Sequence, residues 1–491
     1  MIQTFSSYKS FTSEELEKIE LSPEGGRACY TFFEYFICEQ VSHTHPTYPH
    51  KIGISVISKN HLTKFYLFPP QGQTLEDFLG FYIDRYLKSS KHLEKMETHL
   101  SRLRVFARKT FTRESRDYSS EELKTLLKSY MDLYWNMMVC AGNLRMIDRA
   151  VIEKLRTLFR GVSDVDTALA IAALPIKCPF NAEERLAILD VSVGVARGTL
   201  VKGTTKYQKK VQKLVDSYAW SEMGYFDEPP KVFADYEKEI LDFAGKDPEL
   251  ALVAMKNQIA EEEHSQARLL EGLDKKGKAI VQVASWATYL KDYYKCAINE
   301  LEYRGEWVLA EIAKKSGVSL EYIKDLVPDE IFALLDGKKP DEGFVKERVR
   351  QNVCIGAPDG KLVFLTGDDA EKFIAEHASI AFSSQKEFKG RVASRGNARG
   401  IARVVLEKKD FGKLRDGDIL VVTNTSPDFV SIIKKSGAVV AEEGGLTAHV
   451  SVVSREFGIP CVVGIENATE IFKDGDQLEV DAERGVVRKL S

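Results

Sequence analysis

Glu443-Gly-Gly-Leu-Thr-Ala-His-Val-Ser-Val-Val-Ser-Arg-Glu-Phe-Gly-Ile-Pro460 is the stretch on which the fold turns. It follows the β-branched run Ala438-Val-Val-Ala and precedes Cys461-Val-Val-Gly, so it reads as strand, glycine turn, helix and strand again. Gly444 and Gly445 permit a tight turn with close backbone approach, and the spacing predicts a helix from Leu446 with His449 in its first turn. Val450, Val453 and Phe457 form the expected buried stripe, which leaves His449 outside it beside Val452 and Glu456. A neutral imidazole can attack a phosphoryl group, and the anion formed would sit where backbone N–H groups and the helix dipole favour negative charge. Thr447 and Ser451 are placed to donate hydrogen bonds to phosphoryl oxygens or to fix the ring. Spacing alone leaves two readings open, a phosphoryl-accepting histidine and a histidine in an ordinary helix cap.

Around this stretch, Gly400-Ile-Ala-Arg-Val-Val-Leu, Asp418-Ile-Leu-Val-Val-Thr and Gln477-Leu-Glu-Val-Asp read as further short strands, giving a compact α/β domain. Asp428-Phe-Val-Ser-Ile-Ile-Lys-Lys reads as a helix that ends at Gly437 in a left-handed cap. Before residue 385 the pattern is different: helical periodicity with long charged faces dominates. Capping boxes at Thr12-Ser-Glu-Glu15 and Ser119-Ser-Glu-Glu122 open helical patterns, and long helices are expected over 119–160, 183–218, 231–244, 248–274 and 280–316. Residues 51–68 read as a β-hairpin and 351–365 as a second, shorter one. The fold class is therefore multidomain: a mostly α-helical region over 1–377 with a small β-hairpin element, a linker over 378–390, and an α/β domain over 391–491. If about ten linker residues extend at ~3.3 Å each, they reach about 30 Å, enough for the last domain to move between separate sites.

The chain has 491 residues, 69 basic and 73 acidic, and residues 385–491 hold 17 and 16 of these, so neither part is a polyelectrolyte. That excludes a global field for nucleic acid or an anionic membrane and leaves recognition to local sites. Seven scattered cysteines without a Cys-x-x-Cys pair indicate reduced thiols. The start, Met1-Ile-Gln-Thr-Phe-Ser-Ser-Tyr, lacks a signal-peptide pattern, and the expected location is the cytoplasm.

Gly444-Gly445-Leu-Thr447-Ala-His449, followed by Ser454-Arg-Glu-Phe-Gly-Ile-Pro-Cys-Val-Val-Gly464, resembles the phosphohistidine swivelling, or mobile, domain of phosphoenolpyruvate-utilising enzymes. Gly390-Arg-Val-Ala-Ser-Arg-Gly-Asn-Ala-Arg-Gly400, Thr423-Asn-Thr-Ser-Pro-Asp428, Asp474-Gly-Asp476, Asp481 and Gly485 extend the resemblance. It implies a β/β/α swivelling domain in which His449 is transiently phosphorylated. Gly444, Gly445, Thr447, Ser451 and Arg399 are the candidates to stabilise the phosphoryl group, and Arg455 is a further nearby cation.

In that family an ATP-grasp domain charges the histidine. Residues 1–384 show no Walker loop and nothing resembling an ATP-grasp segment, so no cofactor is expected in this chain. ATP and Mg are expected on a separate ATP-grasp subunit, and the reaction is expected to be a dikinase-like phosphotransfer to a small, partly apolar acceptor. The helical region resembles, more weakly, the substrate domain of rifampin phosphotransferase, and the whole resembles that enzyme or phenylphosphate synthase without its nucleotide domain. Trp220, Arg304 and Trp307 are the candidate acceptor-binding residues, and Tyr130, Tyr134, Trp135 and Met138 read either as pocket wall or as helix core. His43, His45 and His50, and the Glu261-Glu-Glu-His264 segment, read as a surface loop and a solvated helix face, so no metal is expected. Two other readings remain beside the enzyme: a phosphocarrier that only gates a partner, and a relative that keeps the fold without turnover.

Overall fold

The computed structural model describes residues 2–4, 22–28, 53–59, 62–68, 83–84, 86–114, 116–221, 223, 229–357, 361–378, 387–406, 408–425, 429–442, 449–465 and 468–490. The Thr12 capping box and the histidines at 43, 45 and 50 lie outside the described residues. The chain divides into two compact units, one over Met1–Phe11, Ala28–Ile54 and Pro69–Gly367, the other over Thr12–Arg27, Ser55–Phe68 and Asp368–Ser491.

Four early strands are β1 (Ile2–Thr4), β2 (Ser22–Ala28), β3 (Gly53–Lys59) and β4 (Leu62–Phe68). β3 and β4 are hydrogen-bonded neighbours, the arrangement read for residues 51–68, and β4 borders β2 on its other side. β4 and most of β2 and β3 fall in the second unit; the elements of the first unit from residue 91 to 316 are helices: α1 (Lys91–Thr110), α2 (Ser120–Leu158), α3 (Val165–Ala172), α4 (Phe180–Ala196), α5 (Thr205–Tyr218), α6 (Phe233–Ala244), α7 (Pro248–Glu271) and α8 (Lys275–Ser316).

The Ser119 box is formed as read: the Ser119 hydroxyl accepts from Glu122 N at 3.2 Å and the Glu122 carboxylate accepts from Ser119 N at 2.8 Å. At the other end, α8 stops where Gly317 takes the left-handed conformation, φ 68°. α8 packs along α2 and α1, and at its middle Gly305 admits the ring of Tyr130, which a Cβ there would overlap. Tyr130, Tyr134 and Met138 are buried in this interface as core.

The continuous helix expected over 183–218 is instead two. Gly198 and Gly203 adopt φ values of 67° and 84°, and the Thr204 hydroxyl caps α5 by accepting from Tyr207 N at 3.3 Å, so glycine turn chemistry overrides the helical periodicity. Three short helices, α9 (Leu320–Lys324), α10 (Pro328–Leu335) and α11 (Glu342–Arg350), lead to the antiparallel pair β5 (Asn352–Ala357) and β6 (Lys361–Thr366) in register Ala357↔Lys361. This is the second hairpin, and β6 also pairs with β1.

In the second unit, Gly367–Phe373 forms α12 across the unit boundary. An eight-stranded mixed sheet then runs in the order β7-β14-β13-β9-β10-β11-β12-β8. Its strands are β7 (Glu387–Lys389), β8 (Arg391–Ser394), β9 (Asn397–Val404), β10 (Ile419–Val422), β11 (Ala438–Ala441), β12 (Cys461–Val463), β13 (Gln477–Asp481) and β14 (Val486–Leu490). The last residues of the expected linker thus belong to the sheet as β7, and 379–386 lie outside the described residues.

The centre, β9 through β12, is parallel and the flanks are antiparallel. Continuous apolar runs follow from burial on both faces. Leu420, Val422, Val439, Ala441, Cys461 and Val463 join one core with the short helix α13 (Val430–Ile433) and with α14 (His449–Glu456). Ile419, Val421, Ala438, Val440 and Val462 join a second core with Ala468 of α15 (Ala468–Ile471), Phe472, Leu478 and Val480.

Two local readings are corrected. Gly437 is not among the positive-φ glycines; the small residue is needed there because a Cβ would lie 2.5 Å from the Gly417 carbonyl oxygen. Phe457, expected in the buried stripe of α14, is 41% exposed, while Val450 and Val453 are buried. It follows the end of α14, and the Lys434 ammonium lies 4.2 Å from its ring centroid.

Candidate functional site

Parallel strands carry the loops at their carboxyl ends to one edge of a sheet, where α/β proteins commonly bind ligands. Here Thr425 follows β10 and His449 follows β11 as the first residue of α14. The two loops are joined by a hydrogen bond of 3.0 Å between Thr425 Oγ1 and His449 Nδ1. His449 is half-buried, whereas Val450 and Val453 anchor its helix in the core. Glu442, at the end of β11, is likewise tied down, accepting from the backbone N of Thr469 at 2.7 Å and from its hydroxyl.

The direction of the hydrogen bond at Nδ1 decides the chemistry available to the ring. If Nδ1–H donates to Thr425, Nε2 carries the lone pair and is the nucleophile; the opposite tautomer would place the proton on Nε2. The helix dipole and its first N–H groups favour an anion at this end.

The other sequence candidates are placed as follows. Gly444, Gly445 and Thr447 lie outside the described residues. Ser451 is fully buried, and two residues along a helix is a turn of about 200°, so its side chain points away from that of His449. Arg399, on β9, is held by Glu479 of β13, to which its Nε donates at 2.8 Å, so its charge is already compensated. Arg455 donates to the Ala393 carbonyl at 3.4 Å. Thr425 is the site residue that sequence reasoning does not single out within Thr423-Asn-Thr-Ser-Pro-Asp428; a hydroxyl three residues beyond a buried parallel strand is the signal that marks it.

In the helical unit, Trp220 and Arg304 are brought together, with the Arg304 guanidinium 5.1 Å from the Trp220 ring centroid. Trp220 is fully buried beneath it. Trp307 has different company: it packs on Tyr118, with ring centroids 5.1 Å apart, and donates to the Phe111 carbonyl at 3.4 Å. Groups of histidine, cysteine and carboxylate side chains able to hold a metal are absent among the described residues. On α7, Glu261 of the Glu-x-x-His segment pairs with Arg268 at 2.9 Å. No helix among the described residues is long and apolar enough to cross a membrane.

Comparison with known proteins decides what this strand, loop and histidine arrangement is. Residues 414–485 match the family model described as "PEP-utilising enzyme, mobile domain", a span that contains Thr425 and His449. Residues 414–485 are thus similar to the mobile domain of PEP-utilising enzymes. The mobile domain's relatives include a probable phosphoenolpyruvate synthase of Archaeoglobus fulgidus, 43% identical over 119 residues, or 24% of this chain and 15% of that protein. The phosphoenolpyruvate synthase of Pyrococcus furiosus is 41% identical over 135 residues, 27% of this chain and 16% of that protein. That of Aquifex aeolicus aligns at 29% identity over 206 residues, 42% of this chain and 20% of that protein, a length that reaches beyond the mobile domain. The chain thus spans a fifth or less of the curated relatives it matches. Among solved structures, aconitase X of Thermococcus kodakaraensis in its holo form has a TM-score of 0.19 at 24% identity, over 22% of this chain and 100% of that chain.

Proposed function

We propose that the chain is a cytoplasmic phosphotransferase component in which His449 carries the phosphoryl group. The observation that supports this most strongly is the Thr425 to His449 Nδ1 hydrogen bond inside a stretch similar to the mobile domain of PEP-utilising enzymes. His449 Nε2 attacks phosphorus, the P–N bond forms as the bond to the leaving oxygen breaks, and the phosphoryl charge rests at the start of α14. Gly444, Gly445 and Thr447 are the neighbours proposed to cradle it. The donor is an ATP-grasp subunit supplied in trans, whose bound ATP and magnesium furnish an activated phosphoryl group. The mobile domain then delivers the group to a small, partly apolar acceptor held by the helical unit. That unit contains a cavity lined by arginine and aromatic side chains, which favours a bound acceptor over a carrier that only gates a partner.

The test is incubation of the full chain with γ- and β-labelled ATP and a candidate ATP-grasp subunit. Acid-labile, base-stable label on the wild type and none on His449→Ala is the expected result. Equal labelling of the two proteins sinks the assignment.

A further inference from the structure

Glu300, in the middle of α8, has a fully buried side chain and accepts from three arginines. Arg104 Nε donates to it at 2.7 Å, Arg108 at 2.5 and 3.0 Å, and Arg304 Nε at 2.9 Å. One carboxylate balances one guanidinium, so Glu300 by itself does not neutralise the three arginines, and Glu183, which feels Arg104, and Asp216 share the cavity with them. The three arginines line a cavity of about 320 Å³.

The rest of that cavity is of two kinds. Phe180, Tyr218, Tyr289 and Tyr293 supply aromatic wall. Tyr289 and Tyr293 stack with centroids 5.6 Å apart, and their hydroxyls are engaged elsewhere, with Glu97 at 2.9 Å and Ser101 at 2.6 Å. What these two add to the cavity is therefore ring rather than hydroxyl. Glu183 and Asp216, both exposed, are the carboxylates of the lining, and Glu183 is the one that feels Arg104. Burial and nearby Asp292 raise the Glu183 pKa against the pull of Arg104, which suits it to accept a hydrogen bond or a proton. Nη1 of Arg108 and both Nη atoms of Arg304 make no hydrogen bond to a described residue.

We infer that this cavity binds a small aromatic oxyanion, with its carboxylate or phosphate on Arg108 and Arg304, its ring among Phe180 and the tyrosines, and a hydroxyl directed to Glu183. Paired N–H donors in a planar fork match an oxyanion, and the aromatic walls match a flat apolar body. The inference deepens the acceptor half of the proposed function and rests on it only in naming this ligand as the phosphoryl acceptor.

The experiment is isothermal titration of the full, unphosphorylated chain with 4-hydroxybenzoate and phenylphosphonate, and with phenol and sulfate as the ring and the oxyanion alone. Either aryl oxyanion should bind at least about tenfold more tightly than phenol and sulfate, and Arg304→Gln should weaken it about tenfold or more, the scale of one charged hydrogen-bonding group. Arg104 and Arg108 still hold Glu300 in that variant, so its melting temperature should stay near the wild type. Arg304→Lys, which keeps charge without the fork, should fall between. The assignment is overturned if neither aryl oxyanion binds, if sulfate or phenol binds as well, or if Arg304→Gln leaves binding unchanged. His449→Ala should bind like the wild type, so a failure here leaves the phosphohistidine reading standing, and loss of labelling at His449 leaves this one standing.

Discussion

The Thr425 hydroxyl and the His449 ring nitrogen Nδ1 lie 3.0 Å apart, which ties the loop after β10 to the first turn of α14. One hydrogen bond thus holds the position of the imidazole. Thr425→Val keeps the shape and removes the bond, so phosphoryl uptake by His449 should slow about five- to tenfold, while Thr425→Ser should stay close to the wild type. Rates of acid-labile labelling check this. Equal rates for Val and Ser at 425 would show that the hydroxyl does not orient the ring.

The arginine cluster should leave a signature in acid. Burial pushes the Glu300 pKa up, but Arg108 and Arg104 outweigh it and hold the carboxyl below its ordinary value of about 4.3. A depressed folded pKa gives stability that is fully present above the unfolded value and is lost as pH falls through the folded one. Glu300→Gln should therefore cost about 3–5 kcal/mol near pH 7, as expected when one partner of a buried ion cluster is removed. The gap should narrow below about pH 4. Urea midpoints followed by helical circular dichroism at pH 7 and in acid give the comparison, and a gap that does not narrow refutes the linkage.

Gly437 and Gly417 should respond differently to enlargement. A methyl group at 437 meets the Gly417 carbonyl oxygen at 2.5 Å, so Gly437→Ala should destabilise the mobile domain by about 1–3 kcal/mol, as overpacking does. Gly417 has open space around its missing Cβ but φ 86°, so Gly417→Asn should be tolerated better than Gly417→Val. Thermal unfolding of the three variants decides it; the same loss for Asn and Val at 417 would contradict the backbone argument.

Thiol chemistry offers an independent probe of both cores. Burial pushes Cys140 and Cys461 up to about 12, against the help that Ser454 and Arg455 give the Cys461 thiolate. At pH 8 about one such thiol in ten thousand is ionised, so both should resist iodoacetamide in the native chain and react on unfolding. Peptide mass spectrometry reads this directly, and rapid native labelling of either cysteine would show that its core opens.

The fold was largely legible because its signals are local. The Ser119 capping box and the β-branched runs at 419–422 and 438–441 each specify their element without help from the rest of the chain. The break between α4 and α5 was missed because Gly198 and Gly203 sit in a sequence whose apolar spacing still reads as helix, and left-handed glycines override that spacing. Gly437 was assigned to a cap because its crowding comes from Gly417, twenty residues earlier and silent in any local pattern. The site divides in the same way. His449 stands out through the family resemblance of Gly444-Gly-Leu-Thr-Ala-His449, whereas Thr425 and the arginines around Glu300 become partners only once separate elements are packed together.

Gly417 meets the middle of β9 and the start of β11 in one small space. Its carbonyl oxygen would lie 2.6 Å from a Cβ at 400 and 2.5 Å from one at 437, while its amide donates to the Lys435 carbonyl and the Asp418 carbonyl accepts from Gly437 N, both at 2.9 Å. None of this involves phosphate. Selection on folding and selection on His449 therefore act on separate positions, and they can part company during descent. A lineage that abandoned phosphoryl transfer would lose the histidine while the glycines at 400 and 437 persisted together. Their joint survival beside a replaced residue 449 is the mark by which retired copies of this domain can be recognised.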